Sequence, residues 1–216
     1  MTLFQNRAEA ARQLAIALDR WRGRNPVVLA IPRGAVPMGR ILADALGGEL
    51  DIVLTRKISA PGRAEFAIGA VGESGWSIID DTATLAGASA SYITDQIATQ
   101  RALIIKRRRL YTPGRQPISV AGRLVIVVDD GLATGATMVA ALHDTRERGP
   151  VELVCASPIA SGQAYVRVSA YADSVICLDT PETFFGVGQF YREFPQVSDD
   201  EVVTLLAPPE PSRSSY

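Results

Sequence analysis

With 216 residues, 47% of them hydrophobic and 21% charged, the chain can bury a full core and reads as one domain over 1–216. Its formal net charge of −1 gives no overall pull toward nucleic acid or an anionic membrane, and no apolar run approaches the ~20 residues of a membrane span. The opening MTLFQNRAEAARQLA mixes an acid with arginines and lacks a signal peptide's apolar centre, so a cytoplasmic location is expected. Two cysteines, Cys155 and Cys177, sit in strand-like runs and are too few for a disulfide framework. The one histidine, His143, leaves no zinc spacing and argues against a Ser-His-Asp hydrolase.

Asn6 to Trp21 reads as a helix opened by an N-x-x-E start, with Ala10, Leu14, Ala17, Leu18 and Trp21 on one face; it is expected to be scaffold. Val27–Ile31 (VVLAI) is a strand apolar on both faces. It runs into Pro32-Arg33-Gly34-Ala35 and then a helix to about Leu46, a strand–turn–helix passage of the kind that binds anions at unpaired helix N–H groups. Taken alone, a plain strand–helix connection accounts for that turn better.

Leu50–Thr55 is a further strand, ending in the cations Arg56-Lys57. Residues 61–84 are rich in Gly, Ala and Ser with short strand-like runs, EFAIGAV and WSIID, and turns at Gly72 to Gly75. Ala90–Tyr111 is a long helix whose basic run, Lys106 to Arg109, suits the negative end of the helix dipole and reads as a solvated face.

Arg123–Leu142 (RLVIVVDDGLATGATMVAAL) carries the most information. An apolar, β-branched strand stops at Asp129 and Asp130, and a small-residue turn through Thr137 leads into a helix. Gly135 permits close backbone approach, Thr134 and Thr137 offer hydroxyl donors, and the helix start offers free N–H groups, which together suit a phosphate. Two acids beside a phosphate would repel it unless they face sugar hydroxyls or a bound cation. The implied ligand is a phosphorylated sugar.

Beyond it, Val151–Ala156 is a strand, Gln163–Ala172 a helix and Ser174–Leu178 a strand, so strands and helices alternate as in an α/β, doubly wound parallel sheet. Residues 181–206 form a C-terminal hood or edge. PETFFGVGQFYREF packs five of the chain's twelve Phe and Tyr residues into its first fourteen positions, enough to close a sheet edge or to stack on a planar ring. A short helix spans 199–206, and 207–216 is a polar tail.

The Asp129–Thr137 element resembles the phosphoribosyl-pyrophosphate (PRPP) motif of the type I phosphoribosyltransferases, and the resemblance extends over about residues 25–180. It implies a sugar whose hydroxyls are held by Asp129 and Asp130 and whose 5′-phosphate is held by Ala133, Thr134, Gly135, Ala136 and Thr137. Pyrophosphate contacts then fall to Arg33, Gly34 and Ala35, and to Arg56 and Lys57, with Asp129, Asp130 and Arg56 catalytic. Mg²⁺ is expected to arrive on PRPP, with Asp129 and Asp130 as its protein neighbours. Phe184 or Phe185 is expected beside the acceptor. The family resemblance also implies a flexible loop region over 61–84.

The expected reaction moves the 5-phosphoribosyl group from PRPP to a purine or pyrimidine base, releasing pyrophosphate, as in nucleotide salvage by a homodimer. The 6-oxopurine members carry an aspartate where this chain has Ala133, so the chain resembles adenine- and orotate-type members more. The alternative is a non-catalytic PRPP- or nucleotide-sensing regulator on the same fold, reaching RNA through Lys106–Arg109.

Overall fold

The computed structural model of the chain describes residues 3–207; the expected tail lies, past Ala207, outside them. The two β-branched runs become β1 (Val27–Ala30) and β6 (Leu124–Val128), buried at every position. They pair parallel and in register, Ala30 opposite Val128, at the centre of a five-stranded sheet. On one side lies β2 (Glu49–Ile52); on the other lie β7 (Glu152–Ile159) and β8 (Ser174–Asp179), all parallel.

Side-chain alternation splits the core into two layers. Val28, Ala30, Ile126 and Val128 pack on α1 (Arg7–Ala17) and α2 (Val36–Leu46); Val27, Leu29, Val125 and Val127 pack on α4 (Ala136–Arg146) and α5 (Gly162–Ser169). The helices thus cover both faces, as a purely parallel sheet requires.

The order β2-β1-β6-β7-β8 has a consequence for function. From β1 the chain crosses by α2 to β2, whereas from β6 it crosses by α4 to β7, in the opposite direction. The loops after β1 and β6 therefore diverge and leave a crevice at the carboxyl ends of the two central strands.

Three expectations need correction. The first helix stops at Ala17 and tightens to a 3₁₀ turn over Asp19–Trp21, whose buried Trp21 donates its indole N–H to Glu152 at 2.7 Å. The strand expected over 50–55 breaks after Ile52: Thr55 opens β3 (Thr55–Ala60), which belongs to a separate sheet, so Arg56 and Lys57 lie within a strand rather than past the end of one. The region expected as a loop over 61–84 pairs instead as β4 (Arg63–Gly72) and β5 (Ser77–Ile79), antiparallel with β3. Its glycines serve close approach: a Cβ on Gly69 would lie 2.3 Å from the Ile78 carbonyl oxygen.

The helix expected over Ala90–Tyr111 is α3, capped by the Ser89 hydroxyl. Its basic run is not uniformly solvated, because Arg108 points inward. The Arg108 guanidinium donates to Asp51 at 2.6 Å, to Glu73 at 2.6 Å and to the Ile52 carbonyl at 2.7 Å, joining α3 to both sheets. The tip of the β4–β5 hairpin is also fastened to α4. The Ser74 N–H donates to the buried Asp144 carboxyl at 2.8 Å, and Trp76 stacks on His143 with ring centroids 4.6 Å apart. The closing helix α6 (Asp199–Leu206) matches the expected span.

Truncating Arg108 would leave Asp51 buried with only Arg115, 3.4 Å away, to answer its charge. Arg108→Ala is therefore expected to cost about 3–5 kcal/mol of folding stability, read as a lowered urea midpoint with an unchanged slope.

Candidate functional site

The crevice between the β1 and β6 loops is where the sequence-selected residues meet. After Val128 the chain turns at Asp129 and Asp130, and Gly131 has no room for a side chain: a Cβ there would lie 2.4 Å from Val187. The turn is then pinned from the β7 side. The Leu132 N–H donates to the Ile159 carbonyl at 2.9 Å, and the Ser161 hydroxyl donates to the Ala133 carbonyl at 2.7 Å. Gly135 caps α4 with φ +72°, a left-handed conformation that disfavours side chains.

The first intrahelical bond of α4 is Val139 N–H to the Gly135 carbonyl, and the Ala136 N–H ahead of it donates to the Thr134 hydroxyl at 3.4 Å, so the other N–H groups of the first turn have no intrahelical partner. Asp129 and Gly131–Met138 line a recess of about 140 Å³ there. This cluster of amides, with the hydroxyls of Thr134 and Thr137, can hold a phosphate.

The β1 loop closes the opposite wall. The Pro32–Arg33 peptide bond is cis, and the Arg33 guanidinium lies 3.7 Å from Asp199 at the start of α6. Gly34 abuts the acid pair directly: a Cβ on it would sit 2.0 Å from an Asp130 carboxylate oxygen. Between the loops, Pro32, Thr55, Arg56, Arg107 and Thr137 surround a cavity of about 60 Å³. Arg56 is aimed by Gln100, which accepts its Nε–H at 2.6 Å. Lys57, the next residue of β3, lines a neighbouring cavity that Arg56 also borders. The structure thus joins Asp129, Asp130, Arg33, Gly34, Arg56 and the 133–137 turn in one crevice, with Lys57 around the corner.

Two arginines at the crevice were not among the expected site residues. The α1 helix, expected as scaffold, contributes Arg7, whose Nε–H donates to Asp130 at 2.9 Å. Arg7 also donates to the Pro195 carbonyl at 2.7 Å and lies 3.7 Å above the Phe194 ring, so the hood clamps it against the acid. Tyr191 adds an O–H donated to the Asp130 carbonyl at 2.6 Å. Arg107 comes from the basic run that reads as a solvated face.

The acids form an electrostatically loaded pair. Burial raises the Asp129 carboxyl well above its usual range, and the neighbouring Asp130 charge adds to that. Burial also raises Asp130, against which the Arg7 charge and hydrogen bond pull downward. Two carboxylates facing one arginine leave a charge that an incoming cation would answer.

The expected acceptor neighbours separate. Phe184 packs on Phe190 at 5.0 Å, whereas Phe185 is 91% exposed at an open cavity of about 550 Å³ shared with Leu3, Asp179 and Thr183. His143 sits in a ring stack between Trp76 and Tyr171, and burial lowers its pKa. Burial pushes the Cys155 thiol upward and the Cys177 thiol up to about 11, so neither is a ready nucleophile. Among the described residues no three His, Cys, Asp or Glu side chains group to hold a metal, and no helix is long and apolar enough to cross a membrane.

Comparison with known proteins identifies the family. The family model described as "Phosphoribosyl transferase domain" matches residues 2–194. Two Mycobacterium tuberculosis proteins, from strains H37Rv and CDC 1551 and both named provisionally as phosphoribosyl transferases, are 41% identical over 207 residues. That match covers 95% of this chain and 47% of each relative, so the chain spans about half the length of the curated relatives it matches. The crystal structure of TT1426 from Thermus thermophilus superposes with a TM-score of 0.84 at 42% identity, covering 95% of this chain and 98% of that one. By sequence, the chain belongs to the phosphoribosyl transferase family.

Proposed function

We propose that the chain transfers the 5-phosphoribosyl group of PRPP to a purine or pyrimidine nitrogen and releases pyrophosphate. The observation that carries this reading is that two anion-receiving turns leave paired central strands and touch where Gly34 meets Asp130. A sugar bearing phosphate at one end and pyrophosphate at the other fits such a crevice.

The Ala133–Thr137 turn holds the 5′-phosphate through its amides and hydroxyls, which fixes the ribose for attack at C1. Asp129 accepts hydrogen bonds from the ribose hydroxyls, and Arg7 holds Asp130 in place beside it. The β1 loop amides with Arg33, Arg56 and Arg107 meet the charge that grows on the departing pyrophosphate as C1 becomes cation-like. Lys57 approaches from the next cavity. The hood from Val187 to Pro195 covers the acid turn and keeps water from the activated sugar.

The acid pair, with one negative charge in excess, fits a Mg²⁺ carried in on PRPP, which would supply further neutralisation of the pyrophosphate. The crevice offers Asp129 and Asp130 but no further carboxylate grouping, which suits a metal held chiefly by its substrate. The inward turn of Arg108 breaks the basic run that an RNA-facing regulator would use, and favours the enzyme.

The test is pyrophosphate release from PRPP and Mg²⁺ with a panel of bases. Asp129→Asn is expected to lower turnover about 10²-fold or more with the fold intact. The same change should stabilise the protein at neutral pH. A carboxyl raised by folding favours the native state only while protonated, and that support is lost as pH climbs through the folded value, whereas Asn does not titrate. The melting temperature of the variant relative to the parent should therefore increase from pH ~4 toward pH ~8. Arg7→Ala removes the charge that draws Asp130 downward, so the acid limb of its kcat/KM profile is expected to move to higher pH.

A further inference from the structure

A cavity of about 330 Å³ lies between the small antiparallel sheet and α4 and adjoins the recess assigned to the sugar phosphate, with which it shares Ala136 and Thr137. Its walls are made of small side chains: Gly69 and Ala70 from β4 face Ala136 and Ala140 from α4. The result is a slot between a sheet and a helix, open to a flat group. One end is closed by Tyr171, the outer member of the Trp76–His143–Tyr171 ring stack, with the His143 and Tyr171 centroids 4.6 Å apart.

Around the slot stand three cations, Arg56, Lys57 and Arg167, with Asp80 as the acid at the rim. None of the ion pairs among the described residues engages any of the three. Three cations over one acid leave an excess positive charge at the mouth of an otherwise uncharged slot. Such a site suits a planar ring that carries an anionic group, the ring between the small-residue walls and the anion at the rim.

We propose that this slot is a second, nucleotide-binding site: the base lies between β4 and α4 toward Tyr171, and the phosphate rests on Lys57, Arg167 and Arg56. Asp80 is placed to accept from a ribose hydroxyl or an exocyclic amine. Because Arg56 also lines the cavity between the two crevice loops, a nucleotide here draws on a cation that the departing pyrophosphate needs. Occupancy of the slot therefore opposes turnover by drawing on that cation. This inhibitory consequence rests on the proposed transferase activity; the binding itself does not.

Binding of AMP, GMP, CMP and UMP is measured by calorimetry with the crevice saturated by ribose 5-phosphate, which occupies the phosphate turn and lacks the pyrophosphate that competes for Arg56. At least one nucleotide is expected to bind to the parent protein under those conditions, and about tenfold or more weakly to Arg167→Glu, an exposed change on α5. Four results would overturn the proposal: ribose 5-phosphate displaces the nucleotide; Arg167→Glu binds as tightly as the parent; inorganic phosphate binds as tightly as every nucleotide; or none binds at ~1 mM. Because no turnover is read, failure of the transferase reading would leave this result standing, and the converse also holds.

Discussion

The structure depends on one topological constraint: the chain leaves β1 and β6 in opposite directions. Adjacent parallel strands with divergent exits must open a gap at their carboxyl ends, and right-handed crossovers put a helix start at the far side of each exit. Ala30 and Val128 are partners in register, so the two turns begin at the same height and face each other across that gap. Sheet pairing thereby sets the spacing of two turns that lie about a hundred residues apart in the chain.

The same gap explains the electrostatics. Both acids end a strand that is buried on both faces, so they enter the crevice already stripped of much of their water. One arginine from α1 answers one of them. The remaining charge is held at the expense of folding stability, a common compromise at functional sites. The hood takes part by pressing Arg7 between Phe194 and the Pro195 carbonyl, which gives the aromatic-rich segment a role in placing charge as well as in closing the sheet edge.

How much of this was legible in the sequence follows from the range over which each signal acts. β1 and β6 were readable because a strand buried on both faces is written in consecutive residues, and the turn between β6 and α4 because strand, acids, small residues and helix follow one another. Arg7 was not, because its partner lies 123 positions away. Arg108 looked like its neighbours and differs only in facing Asp51, 57 positions upstream. The 61–84 segment misled for another reason: glycine marks both a pliant loop and a place where two backbones nearly touch, and Gly69 is of the second kind. Phe184 and Phe185 are adjacent in the chain, yet one is packed and one is exposed, a division that only the fold decides.

Helix α4 is held at both ends by groups that belong to different parts of the molecule. At its start is the glycine turn that follows the acid pair; near its end Asp144 grips the tip of the hairpin that begins one strand earlier with Arg56 and Lys57. Its 11 residues, about 16 Å, act as a gauge rod between the two. Adding or deleting one residue would rotate Asp144 about 100° around the axis and release the hairpin, so the length of this rod is as tightly constrained as the identity of any acid in the crevice.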